Sequence, residues 1–320
     1  MPPIKVLVTG ASGFVGEALV LRLLQQKNIF PIAGVRGKSR LMGSCTLLHL
    51  DLAITGDLPP LSDVDVIVHA AARVHVMDEA SDDPLTAFRA INVDGTLRLA
   101  RHAANSGVKR FVFVSSIKVN GDSTAPNRPF TADDIPSPTD PYGVSKHEAE
   151  EGLKRLNLET GMDVVIIRPP LVYGPGVKAN FLSMLRWLDK GVPMPFGSLA
   201  NQRSLIALPN LVDLLAICID HPEARNQTFL ASDGDDVSTP ILLKRLAQAL
   251  GKKARLIPVP VWLLLAVARL MGKQAVAQRV CGSLQVDIDK TRELLGWTPP
   301  FSVDQALIQT AGDYLKKHRI

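Results

Sequence analysis

Aromatic residues are scarce in this sequence: Phe, Trp and Tyr together make up 5% of its 320 residues. They are not interleaved with basic residues, and Lys and Arg form no run. The chain therefore lacks the stacking platforms and cationic stripe of a nucleic-acid binder. Cysteine is almost missing. Cys45, Cys218 and Cys281 are odd in number and far apart, which excludes a disulfide framework and leaves no thiolate spacing for a metal. A reducing, cytoplasmic setting is expected, and no metal. No low-complexity tract or repeat of fixed period occurs, and no signal peptide is expected, because the chain enters an apolar β-branched run at once. Long apolar runs are lacking too. The most apolar stretch, 261–271, is interrupted by Arg269 and is too short to span a bilayer. It reads as a packed helix, with a place on a membrane surface as the alternative.

What is present is material for a core. Hydrophobic residues reach 46%, and the formal charge of +5 suits an anionic small ligand. Short β-branched apolar runs at 4–8, 30–35, 46–50, 64–69, 110–115 and 164–168 read as strands. Helical spacing separates most of them, at 14–26, 85–105 and 141–160. Continuous apolar strands alternating with helices predict an α/β fold. Its parallel sheet is covered on both faces and doubly wound in the Rossmann manner. After Pro169 the texture changes: Pro and Gly cluster, and helical patterns at 208–220, 240–250, 261–271 and 303–317 dominate. The expected division is a dinucleotide-binding domain over 1–172 and a smaller, mostly helical substrate lobe over 173–320, with some of the chain crossing back.

The segment Thr9-Gly10-Ala11-Ser12-Gly13-Phe14-Val15-Gly16 joins the first strand to the first helix. Glycines at this spacing let backbone amides approach a pyrophosphate, and the helix N-terminus favours its charge. The second strand ends in Gly34-Val35-Arg36-Gly37-Lys38-Ser39-Arg40, with no acid before Asp51. An acid there would bond the ribose hydroxyls of NAD; Arg36, with Arg40 or Lys38 behind it, suits a 2′-phosphate instead. Otherwise this is a solvated basic loop. Asp51, followed by Leu52, either reaches an adenine amine or simply caps its strand. Tyr142-Gly143-Val144-Ser145-Lys146 follows Asp140-Pro141, a good helix start. Tyr142 and Lys146 then share one face, where an ammonium would lower the phenol's pKa and ease proton exchange with a carbonyl or alcohol. Ser115-Ser116, at the end of an apolar strand, offers a hydroxyl to the same oxygen. His69 and His147 read as a strand-end and a surface-helix histidine.

Together these pieces resemble the extended short-chain dehydrogenase/reductase family, in its nucleotide-sugar epimerase and reductase branch. The resemblance also takes in His69-Ala70-Ala71-Ala72, Asn92-Val93-Asp94-Gly95-Thr96 and Arg168-Pro169-Pro170-Leu171-Val172-Tyr173-Gly174-Pro175. It implies Tyr142 as catalytic acid/base, Lys146 on the nicotinamide ribose and Ser116 on the reacting oxygen. It further implies a cofactor lying along Gly10, Ser12, Gly13, Phe14, Val15 and Gly16. Ala70, Ala71 and Ala72 would flank it, with Pro169 and Val172 near the nicotinamide. Asn92 is structural in this reading. Asn180 and Arg203 match positions that hold the diphosphate of a UDP-sugar, and Lys118 one that faces the sugar, either steadying an oxygen or sitting at the pocket rim. Dehydratases of the family carry Asp-Glu where this chain has Ile117-Lys118, which argues against dehydration. The usual Val-Tyr-Gly is Val119-Asn120-Gly121.

The stretch 69–77 and the residues from Ser115 to Gly121 look like bacterial surface-polysaccharide enzymes, nearest to UDP-4-keto-6-deoxy-N-acetylglucosamine 4-reductases. The resemblance therefore implies an NADPH-dependent 4-ketoreductase. The alternative is a UDP-hexose or UDP-N-acetylhexosamine 4-epimerase with bound NAD. A non-catalytic nucleotide-binding protein is a remote rival, disfavoured by the intact Tyr142–Lys146 pair, and a reductase of non-sugar ketones a smaller one. A homodimer through the helices near 85–105 and 141–160 is also implied.

Overall fold

The computed structural model describes residues 2–54, 56–74, 83–125, 127–272, 277 and 280–318. Of the stretch 69–77, residues 75–77 lie outside them. Seven strands form one wholly parallel sheet: β1 (Ile4–Thr9), β2 (Ile29–Val35), β3 (Thr46–His49), β4 (Val66–His69), β5 (Arg110–Val114), β6 (Asp163–Arg168) and β9 (Thr228–Leu230), in the order β3-β2-β1-β4-β5-β6-β9. The expected Rossmann-type sheet is therefore present. A second small sheet pairs β7 (Leu171–Tyr173) with β8 (Leu205–Ala207) in parallel.

Both faces of the large sheet are covered because its strands are apolar on both sides. On one face, α1 (Phe14–Leu23) and α6 (Leu208–Ile217) pack together, with Leu19, Leu23, Leu211 and Leu215 buried against Val6, Val8 and Val112. On the other, α3 (Thr96–Asn105) and α4 (Pro141–Thr160) bury Leu99, Ala103, Leu153 and Leu156 against Leu7, Ile67 and Phe111. A third core joins α5 (Ala179–Asp189), α7 (Thr239–Ala249) and α10 (Val303–His318) through Phe181, Leu185, Leu243, Leu246 and Leu307. Between α7 and α10 lie α8 (Val261–Leu270) and α9 (Asp289–Leu295).

Several elements differ from the sequence reading. The helix expected over 85–105 is α2 (Pro84–Arg89), a π-helical turn (Ala90–Gly95) and then α3. The wide turn surrounds Asn92, which is buried and turns its amide away from the helix. The strands β7, β8 and β9 have three residues each, too few for alternation to stand out. The stretch read as a packed helix, α8, has no buried residue at all.

A buried ion pair ties α4 to the sheet. Arg168 ends β6 and Glu150 lies midway along α4; their side chains are 2% and 0% exposed. The guanidinium Nη2 donates to Glu150 Oε2 at 2.6 Å and Nε to Oε1 at 3.0 Å, while Nη1 reaches Asn120 Oδ1 at 2.9 Å. Ser115 Oγ donates to Glu150 Oε1 at 2.5 Å. Two charges withdrawn from water this completely are tolerated because each finds its partner and further hydrogen bonds. Glu150→Ala leaves the guanidinium alone, and in urea denaturation it is expected to remove roughly 3–5 kcal/mol of stability. Replacing both partners together, Glu150→Leu with Arg168→Met, is expected to recover most of that loss. A loss under about 1 kcal/mol from Glu150→Ala would mean the pair is not sealed from water as described.

Candidate functional site

The sheet changes winding direction between β1 and β4, and the loops after these strands meet at its carboxyl edge, where ligands of such sheets sit. Gly10 follows β1 with φ +65°, and a Cβ there would lie 2.8 Å from the backbone of Ala71, in the loop after β4. At Gly16 a Cβ would lie 2.3 Å from the carbonyl oxygen of Gly10. Only hydrogen fits at either place, so the loop folds back tightly on the start of α1. Gly13 is the N-cap of α1 and has no side chain to close it. The first-turn amides of Phe14, Val15 and Gly16, with exposed Ser12 and Gly13 beside them, thus face outward at a positive helix end.

On the side expected to meet a ribose, Arg36 and Arg40 are exposed just past β2. Asp51 takes the backbone N–H of Ala53 on Oδ1 at 3.0 Å, as a strand-end cap would, and Leu52 is buried beside it. Ala70, Ala71 and Ala72 form a half-buried apolar ledge after β4. They are anchored from below by His69, whose Nδ1 meets Thr9 Oγ1 at 2.7 Å and whose Nε2 meets Thr96 Oγ1 at 3.0 Å. Its ring is flanked by those of Phe111 and Phe113. Burial, reinforced by the Lys146 charge, pushes the His69 pKa down to about 3. His69 is therefore a neutral spacer that fixes the ends of β1 and β4 to the start of α3.

The Ser–Tyr–Lys residues come from two elements, α4 and the turn after β5. Asp140 caps α4, taking the N–H of Gly143 at 2.7 Å, with Pro141 in the first turn as the sequence suggests. Tyr142 lies edge-on to Phe88 at 5.9 Å. Lys146, one turn on, is buried, donates from Nζ to the carbonyl of Val114 at 2.7 Å and sits 3.8 Å above the Phe113 ring. Burial lowers its pKa to about 7, with Glu150 opposing the shift. The expected lowering of the phenol is not seen. Burial, aided by the Asp140 carboxylate, pushes Tyr142 up to about 12, because the Lys146 ammonium is turned to the end of β5. The two serines divide. Ser115 faces inward to Glu150, while the half-buried Ser116 starts the 3-10 turn Ile117–Val119 and accepts the N–H of Lys118 at 3.2 Å. The N–H of Ile117 is held by the carbonyl of Pro169 at 3.0 Å, which brings the turn against the end of β6.

The remaining expected residues spread further. Val172 lies on β7 and lines a cavity of about 230 Å³ with Phe14, Leu171, Val177, Lys178 and exposed Asn180 at the start of α5. Asn180 is thus beside the start of α1. Arg203 does not line that cavity. It is half-buried, bridges Val237 and Leu284 through its backbone, and donates from Nη1 to the carbonyl of Gly282 at 3.2 Å. Burial lowers its pKa. Lys118 is not a free cation facing a sugar: its ammonium pairs with Asp122 and, at 3.2 Å, with the cap residue Asp140. Two connections escaped the sequence reading. Asn92 bonds the backbone of Arg73 from both ends of its amide and also donates to Ser145 Oγ at 3.0 Å, joining the ledge to the helix of Tyr142. Glu150 and Arg168 are the second. Glu150 stands four residues beyond Lys146, the one signal that could have found it. Among the described residues no cluster could hold a metal ion.

The family model "NAD dependent epimerase/dehydratase family" matches residues 6–231. A Vibrio cholerae UDP-glucose 4-epimerase is 47% identical over 316 residues, covering 98% of this chain and 96% of that protein. An N-acetyl-α-D-glucosaminyl-diphospho-ditrans,octacis-undecaprenol 4-epimerase of Escherichia coli O157:H7 is 26% identical over 96% of this chain and 94% of its own. Among solved structures, a UDP-glucuronic acid 4-epimerase from Bacillus cereus in complex with NAD superposes with a TM-score of 0.78 at 20% identity, covering 98% and 99% of the two chains. A Thermotoga maritima UDP-glucose 4-epimerase with UDP-glucose gives 0.77 at 21%, with the same coverage. At these identities the structures speak for the fold.

The buried neutral His69 has a measurable signature. An unfolded histidine binds a proton below about pH 6.5, whereas folded His69 resists it until about pH 3. Folded stability is therefore full above 6.5 and falls with pH below it, by up to about 1.4 kcal/mol per unit. In denaturant melts between pH 6.5 and 5, above most carboxylate titration, His69→Asn is expected to lose this slope while being less stable at pH 7. Identical slopes in the two proteins would mean that His69 is protonated in the fold.

Proposed function

The chain belongs to the NAD dependent epimerase/dehydratase family, and on that premise we propose that it interconverts the two C4 epimers of a UDP-linked hexose or N-acetylhexosamine, with NAD held throughout. The observation that carries this reading is the 47% identity to a UDP-glucose 4-epimerase over nearly the whole of both chains. It supports the epimerase better than the 4-ketoreductase expected from the stretch 69–77 and the residues from Ser115 to Gly121.

The residues fit a dinucleotide. Because only hydrogen fits at Gly10 and Gly16, the loop packs tightly against the start of α1, and the uncapped first-turn amides are open to a pyrophosphate. The Ala70–Ala72 ledge offers an apolar wall. Bound NAD supplies a reversible hydride acceptor. Tyr142 exchanges a proton with the C4 oxygen, taking it as the alcohol is oxidised and returning it once the keto sugar has turned its other face. With its pKa near 12, Tyr142 rests as a donor. The nearby charge able to favour its phenolate is the ammonium of Lys146 one turn away, provided that it swings from the Val114 carbonyl. Ser116 steadies the same oxygen. Asn180, exposed beside Phe14 and Val172, is placed by this reading on the diphosphate. Arg203 would join it only by leaving the carbonyl of Gly282. A homodimer through the helices near 85–105, which are α2 and α3, and through α4 belongs to the same proposal.

One observation favours the reductase as a second reading. No acid stands at the end of β2, and Arg36 is exposed there, which suits the 2′-phosphate of NADPH.

Incubation with UDP-glucose, and separately with UDP-N-acetylglucosamine, is expected to yield the C4 epimer of at least one without net change in reduced nicotinamide. Tyr142→Phe is expected to lower kcat by at least about a hundredfold while NAD binding survives. One-to-one oxidation of NADPH on a UDP-4-keto-6-deoxy sugar, with no epimerisation of either hexose, would overturn the epimerase in favour of the reductase. In that case Arg36→Ala is expected to weaken NADPH by about one to two decades and leave NADH nearly unchanged.

A further inference from the structure

The helix α8 is apolar almost throughout, yet none of its ten residues is buried. Trp262 is 70% exposed and Leu270 89% exposed; Leu263 and Val267 are also open to solvent, as is Met271 just beyond the helix. Positions 263, 267 and 270 fall on one helical face, with Trp262 alongside. Leu264, Leu265 and Ala268, on the other side, are half-buried. The helix thus rests on the molecule by one side and presents a continuous apolar stripe outward, larger than the scattered surface leucines of an ordinary monomer. It is not a loose tail. The segment before it is pinned to the loop after α5 by Met194 N to Arg255 O, Ile257 N to Met194 O and Gly197 N to Ile257 O, each at 2.9 Å.

Along the chain, the charges flanking this helix have one sign. Residues 237–286 contain eight Lys and Arg and no Asp or Glu, in a chain whose net charge is only +5. Lys253 and Arg255, just before the helix, and Arg269, within it, are exposed and make no ion pair among the described residues. An apolar face with Trp at one end and cations at its margin matches the chemistry of an anionic bilayer surface: the side chains enter the headgroup boundary and the cations meet lipid phosphates. A second copy of this chain fits poorly. A two-fold contact sets the same patch against itself and would bring these unpaired cations face to face.

We infer that α8, with its flanking cations, docks this protein onto the surface of a membrane rich in anionic phospholipid, without crossing it. No helix among the described residues is long and apolar enough to span a membrane. The inference does not depend on which sugar nucleotide is the substrate.

The test is co-sedimentation of the full chain with vesicles of phosphatidylcholine alone or mixed with phosphatidylglycerol, at low and high salt. Binding to the mixed vesicles is expected, weakened by salt. A blue shift of tryptophan emission should accompany it and disappear in Trp262→Phe. The double variant Trp262→Glu with Leu270→Glu, and separately the triple variant Lys253→Glu, Arg255→Glu and Arg269→Glu, are expected to bind at least about tenfold more weakly. All of these side chains are exposed, so circular dichroism, melting temperature and NAD binding should match the parent. Absence of binding to the mixed vesicles would overturn the inference, as would binding that neither variant weakens. So would lipid-free self-association that Trp262→Glu with Leu270→Glu abolishes, which would give the face to a second copy of the chain.

Discussion

The site stands on a buried ion pair. Arg168 closes β6, Glu150 is seated in the middle of α4, and neither is reached by water. Through Ser115 and Asn120 the pair also takes hold of the end of β5 and the turn that follows it. Ser116, Lys146 and Pro169 lie within a few residues of these four anchors, and Tyr142 stands one turn before Lys146. Register between helix and sheet is thereby set by directional bonds that apolar packing alone would not supply, since Leu153 and Leu156 would slide over the sheet at little cost. The same carboxylate opposes the desolvation of Lys146, so the structural pair and the candidate site share one electrostatic field.

A second set of polar links joins other elements. His69 fastens β1 and β4 to α3, and Asn92 fastens the loop after β4 to α4. The segment after β4 and the helix of Tyr142 are both held to one residue of the π-helical turn, Asn92. Lys118 closes the arrangement by joining the turn after β5 to Asp140, the cap of α4. Its charge serves to hold the helix start, and that is why it does not stand free in the way its position in the motif suggests.

Much of this was legible in the sequence because the physics is local. The glycines of the loop declare a close approach, Asp140-Pro141 declares a helix start, and unbroken apolar runs declare buried parallel strands. What was not legible depends on partners distant in the chain. Nothing in the sequence pairs Glu150 with Arg168 until the fold brings them together. The direction in which Lys146 points is decided by the Val114 carbonyl and the Phe113 ring, neither of which the Tyr142-to-Lys146 spacing contains. Three-residue strands carry too little pattern to be seen, and the apolar stretch 261–271 looks the same whether or not anything covers it.

The return of the chain to its first sheet has a consequence for how the molecule is made. The strand β9 and the helix α6 are drawn from beyond residue 200, yet one completes the sheet beside β6 and the other shields α1. Arg110, on β5, donates to the carbonyls of Cys218, Ile219 and His221 that end α6 and follow it. During synthesis the first six strands emerge with β6 as an unpaired edge and one face partly bare, a surface open to pairing with another chain. A nascent chain stopped after the sixth strand is therefore a template for misassembly, and the two halves of this protein mature together.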